Sequence, residues 1–142
     1  MLYFDTSFLA PYFTPEDASA GVEAFFRRQR SADLAISHWT HTEFTSAIGL
    51  KVRMKLLSQE DATAVLAAFQ EITTDYFHTL TPQPTDFMLA AEFLQHWELG
   101  LRAGDALHLA IAVNHEAKKF YTFDKRQADA AKVIKVPVKF GA

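Results

Sequence analysis

The sequence predicts an α/β fold in three layers, a parallel sheet of about five strands with helices on both faces. Short apolar runs of strand length alternate with longer segments of helical pattern, which is typical of βαβ crossovers. The apolar runs are continuous, as in strands that are buried on both sides. The 142 residues are 49% hydrophobic and 22% charged, which are globular values. We therefore expect residues 1–142 to form a single domain.

Each predicted element follows from a local signal. The predicted strands are the apolar runs at residues 2–4, 34–37, 76–80, 120–123 and 133–136. Proline or acidic residues mark the first turns of several helices, where both are favourable. The predicted helices cover about residues 15–30, 39–56, 58–73, 84–100 and 104–118, with a short helix after residue 124.

The composition excludes several classes of protein. The chain has no cysteine, which rules out disulfide frameworks, thiol nucleophiles and cysteine-ligated metals and fits a reducing compartment. Its start lacks the basic region of a signal peptide, and no apolar run approaches the ~18 residues of a membrane span. We therefore expect a cytoplasmic protein without a membrane anchor. The net charge of −3 argues against extensive basic patches for nucleic acid, but a small basic rim is compatible with it.

Aspartates stand where a parallel sheet forms its sites. Asp5 and Asp124 follow predicted strands, and Asp105 begins the apolar helix that leads into the fourth strand. Sites in open parallel sheets lie beyond the carboxyl ends of the strands. Aspartate is also a preferred helix N-cap, because its side chain accepts a free amide of the first turn. Taken singly, each aspartate fits either role.

Glu43 has no such capping explanation. It lies in the middle of a helical arc with Trp39, Ala47, Leu50 and Met54, which we expect to face the sheet. A buried carboxylate requires a cation, hydrogen bonds or a metal ion. The alternative is that the arc ends at a solvent edge and Glu43 reaches outward.

Four carboxylates at one edge would repel each other unless a cation were bound. Carboxylate oxygens and water are the ligands of Mg²⁺ or Mn²⁺, and such a site suits phosphodiester hydrolysis by a metal-activated water. Thr6, Ser7 and Thr122 place hydroxyl groups nearby, to contact a carboxylate or metal-bound water or to serve as local caps.

Four short motifs together resemble a known family. They are Phe4-Asp5-Thr6-Ser7, Thr42-Glu43-Phe44, Arg102-Ala-Gly-Asp105-Ala-Leu-His-Leu-Ala110 and Thr122-Phe-Asp124. Their order and spacing are those of the PIN domain. Over nearly its full length the chain resembles a VapC-type toxin ribonuclease of a toxin–antitoxin module.

The resemblance implies a PIN-like fold and a Mg²⁺- or Mn²⁺-dependent endoribonuclease that acts on structured RNA such as tRNA or rRNA. It also implies a homodimer and a cognate antitoxin partner. Asp5, Glu43, Asp105 and Asp124 match the acidic metal-binding set of the family. The chain departs from the family at Gln127, where a bulky apolar residue often stands.

Other interpretations stay open at the level of sequence. Arg102 fits contact with RNA phosphate, a pair with an acid of the site, or a surface loop. His108 fits a buried core histidine or a partner of the site. The alternative function is a catalytically silent module that docks a basic partner peptide. A phosphoaspartate phosphatase is disfavoured, because Ser7 occupies the place of its second aspartate.

Overall fold

A five-stranded parallel sheet forms the centre of the molecule. The computed structural model describes residues 1–142. The strands are β1 (Leu2–Phe4), β2 (Leu34–Ser37), β3 (His78–Leu80), β4 (Lys119–Thr122) and β5 (Val138–Phe140). All neighbouring strands are parallel, in the spatial order β3-β2-β1-β4-β5. The predicted five-stranded parallel sheet is confirmed.

Seven α-helices cover both faces of the sheet. They are α1 (Thr6–Phe13), α2 (Ser19–Phe26), α3 (His38–Arg53), α4 (Gln59–Tyr76), α5 (Pro84–Leu94), α6 (Ala103–Asn114) and α7 (Lys125–Val133). Helices α1 to α4 contribute to one apolar core, and α5, α6 and α7 contribute to the other. Short 3-10 turns occur at Ser31–Asp33 and Trp97–Leu99. None of the helices combines the length and hydropathy needed to cross a membrane.

The central strand shows why the apolar runs are continuous. Tyr3 is buried in the core beside α6, whereas its neighbour Phe4 is buried in the core beside α1. Strand β4 repeats this arrangement, since Phe120 stacks on Tyr3 and Tyr121 stacks on Phe4. Successive side chains of a strand point to opposite faces. A strand that is covered on both faces is therefore apolar at every position.

Helix α1 occupies a segment for which the sequence pattern predicted no helix. Asp5 caps it by accepting the Phe8 amide at 2.9 Å. Phe8 and Leu9 are fully buried on the face of this helix that packs on the core. Pro11 lies inside this short helix, although proline disfavours helix interiors. The helix is stabilised by packing of its apolar face, which local pattern does not reveal.

The prediction of the fifth strand at residues 133–136 is wrong. Val133 ends α7, whose buried alanines, among them Ala131, pack against the sheet. Lys135 adopts a left-handed conformation with φ of 62°, which ends the helical path. Strand β5 begins after Pro137, with Val138 opposite Phe120 of β4. The remaining predicted elements are present, with ends that differ by several residues.

The buried face of α3 also differs from the prediction. Thr40, Phe44 and Ile48 are its buried residues, whereas Leu50 and Met54 are 48% and 59% exposed. The face that packs on the core continues from Ile48 to Val52, whereas Leu50 and Met54 lie on another face of the helix and are in solvent. Glu43 consequently lies at the margin of the buried face, between core and solvent.

The strand order creates a crevice at one edge of the sheet. The chain passes from β1 to β2 on one side, and later returns past β1 to β4 on the other. Connections that diverge in this way leave a gap at the carboxyl ends of the two central strands, which is where open α/β sheets bind ligands. Asp5 follows β1 and Asp124 follows β4, so both lie at this topological switch point.

Candidate active site

The structure brings the four predicted acidic residues to the crevice at the carboxyl edge. Asp5 and Asp124 follow the central strands, Glu43 lies in the second turn of α3, and Asp105 lies in the first turn of α6. Their charges interact: burial raises the pKa of Asp105, and the nearby carboxylates of Asp124 and Glu43 raise it further. Asp105, Asp124 and Glu43 thus interact electrostatically, although they come from separate parts of the chain.

Asp5 is the most deeply buried of the four, with 3% exposure. Its carboxylate accepts hydrogen bonds from the Ser7 hydroxyl at 2.8 Å, the Thr122 hydroxyl at 2.7 Å and the Phe8 amide at 2.9 Å. Burial raises the pKa of Asp5 to about 6, although the charge of His108 and these donors act in the opposite direction. Ionisation of Asp5 is therefore costly near neutral pH, and a bound cation would offset that cost.

Glu43 is held through one of its two oxygens. Its Oε2 atom accepts hydrogen bonds from Thr6 Oγ1 at 2.7 Å and lies 2.6 Å from His108 Nε2, whereas Oε1 accepts none. Burial acts to raise the pKa of Glu43, but the contacts with His108 and Thr6 outweigh it and leave the pKa lowered. The carboxylate is thus ionised, with one oxygen free.

Gly104 makes room for the free oxygen of Glu43. A Cβ atom at position 104 would lie 2.7 Å from Glu43 Oε1 and 3.2 Å from the Trp39 ring. A contact of 2.7 Å is too short for a carbon and an oxygen, so a side chain here would displace Glu43. The Trp39 indole N–H lies beside the same point, buried and without a hydrogen-bond partner. This donor acts on Glu43 itself, since Trp39 helps to lower the pKa of that carboxyl group.

Asp105 and Asp124 share the arrangement seen in Glu43. Asp105 Oδ2 accepts the Arg102 amide at 3.3 Å, and Asp124 Oδ1 accepts the Gln127 amide at 3.0 Å. The second oxygen of each carboxylate accepts no hydrogen bond from the protein. Both aspartates therefore serve as helix caps and keep one oxygen available, so the two roles weighed for them are compatible.

The sequence predicted only part of the role of two side chains of the site. His108 is fully buried, as a core histidine would be, and it also contacts Glu43. Gln127 is 1% exposed and donates from Nε2 to the Asp105 carbonyl at 3.1 Å. Its Oε1 lies 3.1 Å from the Thr122 hydroxyl, whose single proton is shared with Asp5. The departure from the family pattern at position 127 was the one available signal for this polar bridge.

The donor chemistry fits a hard divalent cation. The four candidate ligands are all carboxylates, and unpaired oxygens remain on Glu43, Asp105 and Asp124. In their present positions, however, no three histidine, aspartate or glutamate side chains lie close enough together to hold a metal ion. Each carboxylate is instead turned toward its local hydrogen-bond donor. The residues therefore fit a divalent cation by the chemistry of their donor atoms and not by their present spacing.

Comparison with known families decides the classification. A family model described as the PIN domain matches residues 2–133. The chain belongs to the PIN domain family. All four motifs that carry the resemblance lie within the matched residues, and the predicted PIN-like α/β fold is confirmed. A search of curated proteins finds no match to this sequence.

Solved structures share this PIN fold over nearly their whole length. FitAcB from Neisseria gonorrhoeae is 19% identical with a TM-score of 0.77, covering 99% of this chain and 97% of that chain. VapC20 from Mycobacterium tuberculosis, a toxin that cleaves the sarcin–ricin loop, is 22% identical with a TM-score of 0.71, covering 92% and 95%. VapBC2 from Rickettsia felis, bound to a promoter DNA fragment, is 14% identical with a TM-score of 0.65, covering 100% of both chains. At these identities the similarity establishes the fold.

Proposed function

We propose that this protein is a Mg²⁺- or Mn²⁺-dependent endoribonuclease, the toxin component of a toxin–antitoxin pair. Its substrate is a structured RNA such as tRNA or rRNA, in which it hydrolyses phosphodiester bonds. One observation supports the proposal: in a PIN-family sheet, Asp5 and Asp124 follow the two adjacent strands at the topological switch point, and the charges of Asp124 and Glu43 act on Asp105. The similarity of the fold to VapC20, a toxin that cleaves the sarcin–ricin loop, supports the same reaction class.

The four carboxylates are the residues that would hold the metal ion. A bound divalent cation supplies charge neutralisation at the phosphate and lowers the pKa of water to produce a nucleophile near neutral pH. The Ser7 and Thr122 hydroxyls keep Asp5 oriented toward the crevice. No serine–histidine–acid arrangement is needed for this reaction, since water is the nucleophile.

Arg102 is the side chain best placed to contact the RNA backbone. It is exposed, it precedes the first turn of α6 next to Asp105, and its guanidinium forms no salt bridge within the chain. Guanidinium groups bind phosphate through paired hydrogen bonds. Since the protein carries a net charge of −3, such a local cation is needed to bring a polyanion to an acidic site.

A groove on the opposite side of the molecule suits the antitoxin. It encloses about 650 Å³ between α1, α2 and α4 and is lined by aromatic side chains such as Phe26 and Tyr76. Glu71 and Asp75 at its edge carry negative charge. An amphipathic helix with an apolar face and basic flanks is complementary to this surface. The complexes of related fold, such as VapBC2, are consistent with an antitoxin partner.

The resemblance to toxin ribonucleases further supports a homodimer. Phe87 and Met88 on α5 are 56% and 66% exposed, although both are large and apolar. A second copy of the chain that covered this part of α5 would remove them from water, which is favourable in proportion to the apolar area buried.

RNA cleavage by the purified protein tests the proposal. The substrate is total tRNA and rRNA, with Mg²⁺, Mn²⁺ or EDTA in parallel, and the variants are Asp5→Asn and Asp33→Asn. Asp33 is an exposed aspartate at the amino end of β2, so it controls for the loss of one negative charge. We expect discrete cuts that require metal, vanish in Asp5→Asn and persist in Asp33→Asn. Cleavage by Asp5→Asn, or in EDTA, would contradict the proposal.

The competing function is a catalytically silent module that docks a basic peptide on the acidic crevice. Metal that binds only the folded state raises the melting temperature, whereas this module would gain nothing from it. Absence of both cleavage and a melting-temperature shift at millimolar Mn²⁺ would favour the binding module.

A further inference from the structure

A buried chain of hydrogen bonds lies directly behind Glu43. The Tyr3 hydroxyl lies 2.8 Å from Ser37 Oγ and 2.8 Å from His108 Nδ1. On the other side of the imidazole ring, His108 Nε2 lies 2.6 Å from Glu43 Oε2. These residues are buried, since the exposed fraction of Tyr3, Ser37 and His108 is at most 1%. The chain thus connects the interior of the sheet with an acidic residue at the crevice.

The direction of these hydrogen bonds follows from the chemistry of the groups. Ionised Glu43 only accepts, so the proton between it and His108 is carried by Nε2. When the imidazole is neutral, Nδ1 is then an acceptor and the Tyr3 hydroxyl donates to it. When the ring is charged, Nδ1 donates to the Tyr3 oxygen, and Nε2 carries a proton in both states. Burial raises the pKa of Tyr3 well above its ordinary value, so this hydroxyl keeps its proton. Tyr3 therefore fixes the tautomer in which His108 donates to Glu43.

The contact with His108 determines which oxygen of Glu43 faces the site. Oε2 receives both His108 Nε2 and Thr6 Oγ1, which are on separate elements, α6 and α1. Oε1 accepts no hydrogen bond of normal geometry and lies in the space that the missing side chain of Gly104 provides, with the Trp39 indole N–H as the nearby donor. Two donors on one oxygen hold the carboxylate in a single orientation, because rotation about its axis would break both bonds.

We propose that His108 is a positioning residue, which holds Glu43 so that it binds the metal ion through Oε1 alone. The proposal rests on the proposed function of the crevice as a divalent-metal site. It assigns to Tyr3 the task of fixing the His108 tautomer. It also explains the presence of a histidine in an otherwise apolar stretch of α6, where leucine or alanine would pack without a buried polar group.

Substitutions at position 108 separate positioning from packing. In His108→Gln the side-chain amide nitrogen replaces Nε2 as a donor at similar reach, whereas His108→Leu fills the core and donates nothing. The measurement is the affinity for Mn²⁺ by isothermal titration calorimetry, with folding checked by circular dichroism. We expect His108→Leu to bind Mn²⁺ roughly 10- to 100-fold more weakly than the unmodified protein, as for other residues that orient metal ligands. We expect His108→Gln to regain most of that loss.

Several results would overturn the proposal. Equal Mn²⁺ affinity of His108→Leu and the unmodified protein would show that the donor does not matter. Equal weakening in the Gln and Leu variants would assign the effect to packing. If His108→Leu does not fold, Tyr3→Phe takes its place, since it keeps the aromatic packing against Phe120. Unchanged Mn²⁺ affinity in Tyr3→Phe would then overturn the proposal, and weaker binding would support it.

A measurement without metal keeps this proposal distinct from the proposed function. ¹⁵N NMR of the histidine rings of the metal-free protein reports which nitrogen of His108 carries the proton. A proton on Nε2 supports the positioning role, and a proton on Nδ1 alone overturns it. Failure of the unmodified protein to bind Mn²⁺ would contradict the proposed function, whatever the NMR spectrum shows.

Discussion

Individual carboxylates in this protein have a structural contact on one oxygen and an unpaired second oxygen. Asp105 accepts the backbone amide of the N-cap residue Arg102, and Asp124 accepts an amide of the first turn of α7. Glu43 accepts a hydroxyl and contacts an imidazole. The local contact fixes the side chain and leaves the second oxygen without a hydrogen bond. Asp5 differs, because donors reach both of its oxygens and it is almost fully buried. Among the four acids, ionisation of Asp5 therefore has the largest effect on the free energy of unfolding.

The first prediction concerns the stability of Asp5→Asn in EDTA. The pKa of Asp5 is about 6 in the folded protein against 3.8 in the unfolded chain, so folding disfavours the charged form. This destabilisation is absent below about pH 4, grows as the pH rises, and is complete above about pH 6. It amounts to on the order of 3 kcal/mol above that range. We expect Asp5→Asn to be more stable than the unmodified protein at pH 7.5 and equally stable at pH 4.

Urea unfolding at the two pH values measures this difference in free energy. An asparagine amide at position 5 donates to Thr122 Oγ1, whose own proton then goes to Gln127, so the local network survives the substitution. Asp33→Asn is the control and should leave the stability unchanged at both pH values. A difference between Asp5→Asn and the unmodified protein that did not depend on pH would contradict the raised pKa.

The second prediction concerns the space at Gly104. Alanine is normally preferred over glycine inside a helix by about 1 kcal/mol. In Gly104→Ala this gain is opposed by the contact with Glu43 Oε1, which must move. We expect little change in melting temperature but a loss of at least about 10-fold in RNA cleavage, in the range found for residues that orient metal ligands.

The control for this variant is Gly49→Ala, also inside a helix. A Cβ atom there meets only the flexible end of Arg53 at 3.4 Å. It should keep full activity. Full activity in Gly104→Ala as well would show that the position of Glu43 does not matter for RNA cleavage.

At the scale of elements, Gln127 joins three of the segments that carry the site. Its side chain contacts the Asp105 carbonyl on α6 and the Thr122 hydroxyl on β4, and its amide contacts Asp124 at the start of α7. In place of the apolar packing that the family often has here, the protein uses a buried amide. A buried amide with both ends satisfied fixes the relative position of the segments it bridges.

The third prediction is that Gln127→Met lowers activity more than stability. Methionine fills a similar volume and leaves no donor unpaired, because Thr122 still bonds to Asp5 and the Asp105 carbonyl keeps its place in the helix. The expected loss of stability is about 1 kcal/mol or less. RNA cleavage should fall about 10-fold, as when other residues behind metal ligands are changed. Gln70→Met, on the exposed side of α4, is the control. Parallel losses of activity and stability would contradict this role.

The elements show what the sequence can and cannot predict. Strand β1 and Asp5 were predictable, because a short apolar run that ends in a polar residue is a local signal. Helix α1 was missed, since it contains Pro11 and depends on the burial of Phe8 against distant parts of the chain. The fifth strand was misplaced, because the buried alanines of α7 extend that helix through Val133.

The same distinction holds within the site. The four acidic residues were found from their positions after strands and at helix starts, together with the resemblance to the PIN domain. The contact of His108 with Glu43 joins residues 65 positions apart, and the contact of Gln127 with Asp105 joins residues 22 apart. Neither spacing is a helical or strand repeat, so only the packed fold reveals these contacts.

On the scale of the whole molecule, the acidic crevice and the aromatic groove lie at opposite ends of the sheet. The crevice follows the carboxyl ends of β1 and β4, whereas the groove is lined by Leu34 and Phe77, at the amino ends of β2 and β3. This separation allows a partner to bind the groove without contacting the acidic residues of the crevice. Binding of the partner and cleavage of RNA should therefore respond to different substitutions.

The fourth prediction tests that separation with Tyr76→Glu. Tyr76 lines the groove and is 56% exposed, so the fold should tolerate the change. We expect binding of the cognate antitoxin, measured by surface plasmon resonance, to weaken by at least about 10-fold, because an aromatic anchor is lost. RNA cleavage should stay unchanged. Leu56→Glu, at an exposed position outside the groove, is the control. Unaltered antitoxin binding in Tyr76→Glu would place the partner elsewhere.

The proposed function requires that the carboxylates of the crevice form a divalent-metal site. A crystal of the protein soaked in Mn²⁺, with anomalous diffraction recorded at the manganese edge, tests it most directly. We expect a strong anomalous peak among the carboxylates of Asp5, Glu43 and Asp105, with Asp124 at its border, and no such peak in Asp5→Asn. A metal site in the crevice would be contradicted if the crevice were empty at a Mn²⁺ concentration that supports RNA cleavage. It would also be contradicted if the anomalous peak lay elsewhere on the molecule.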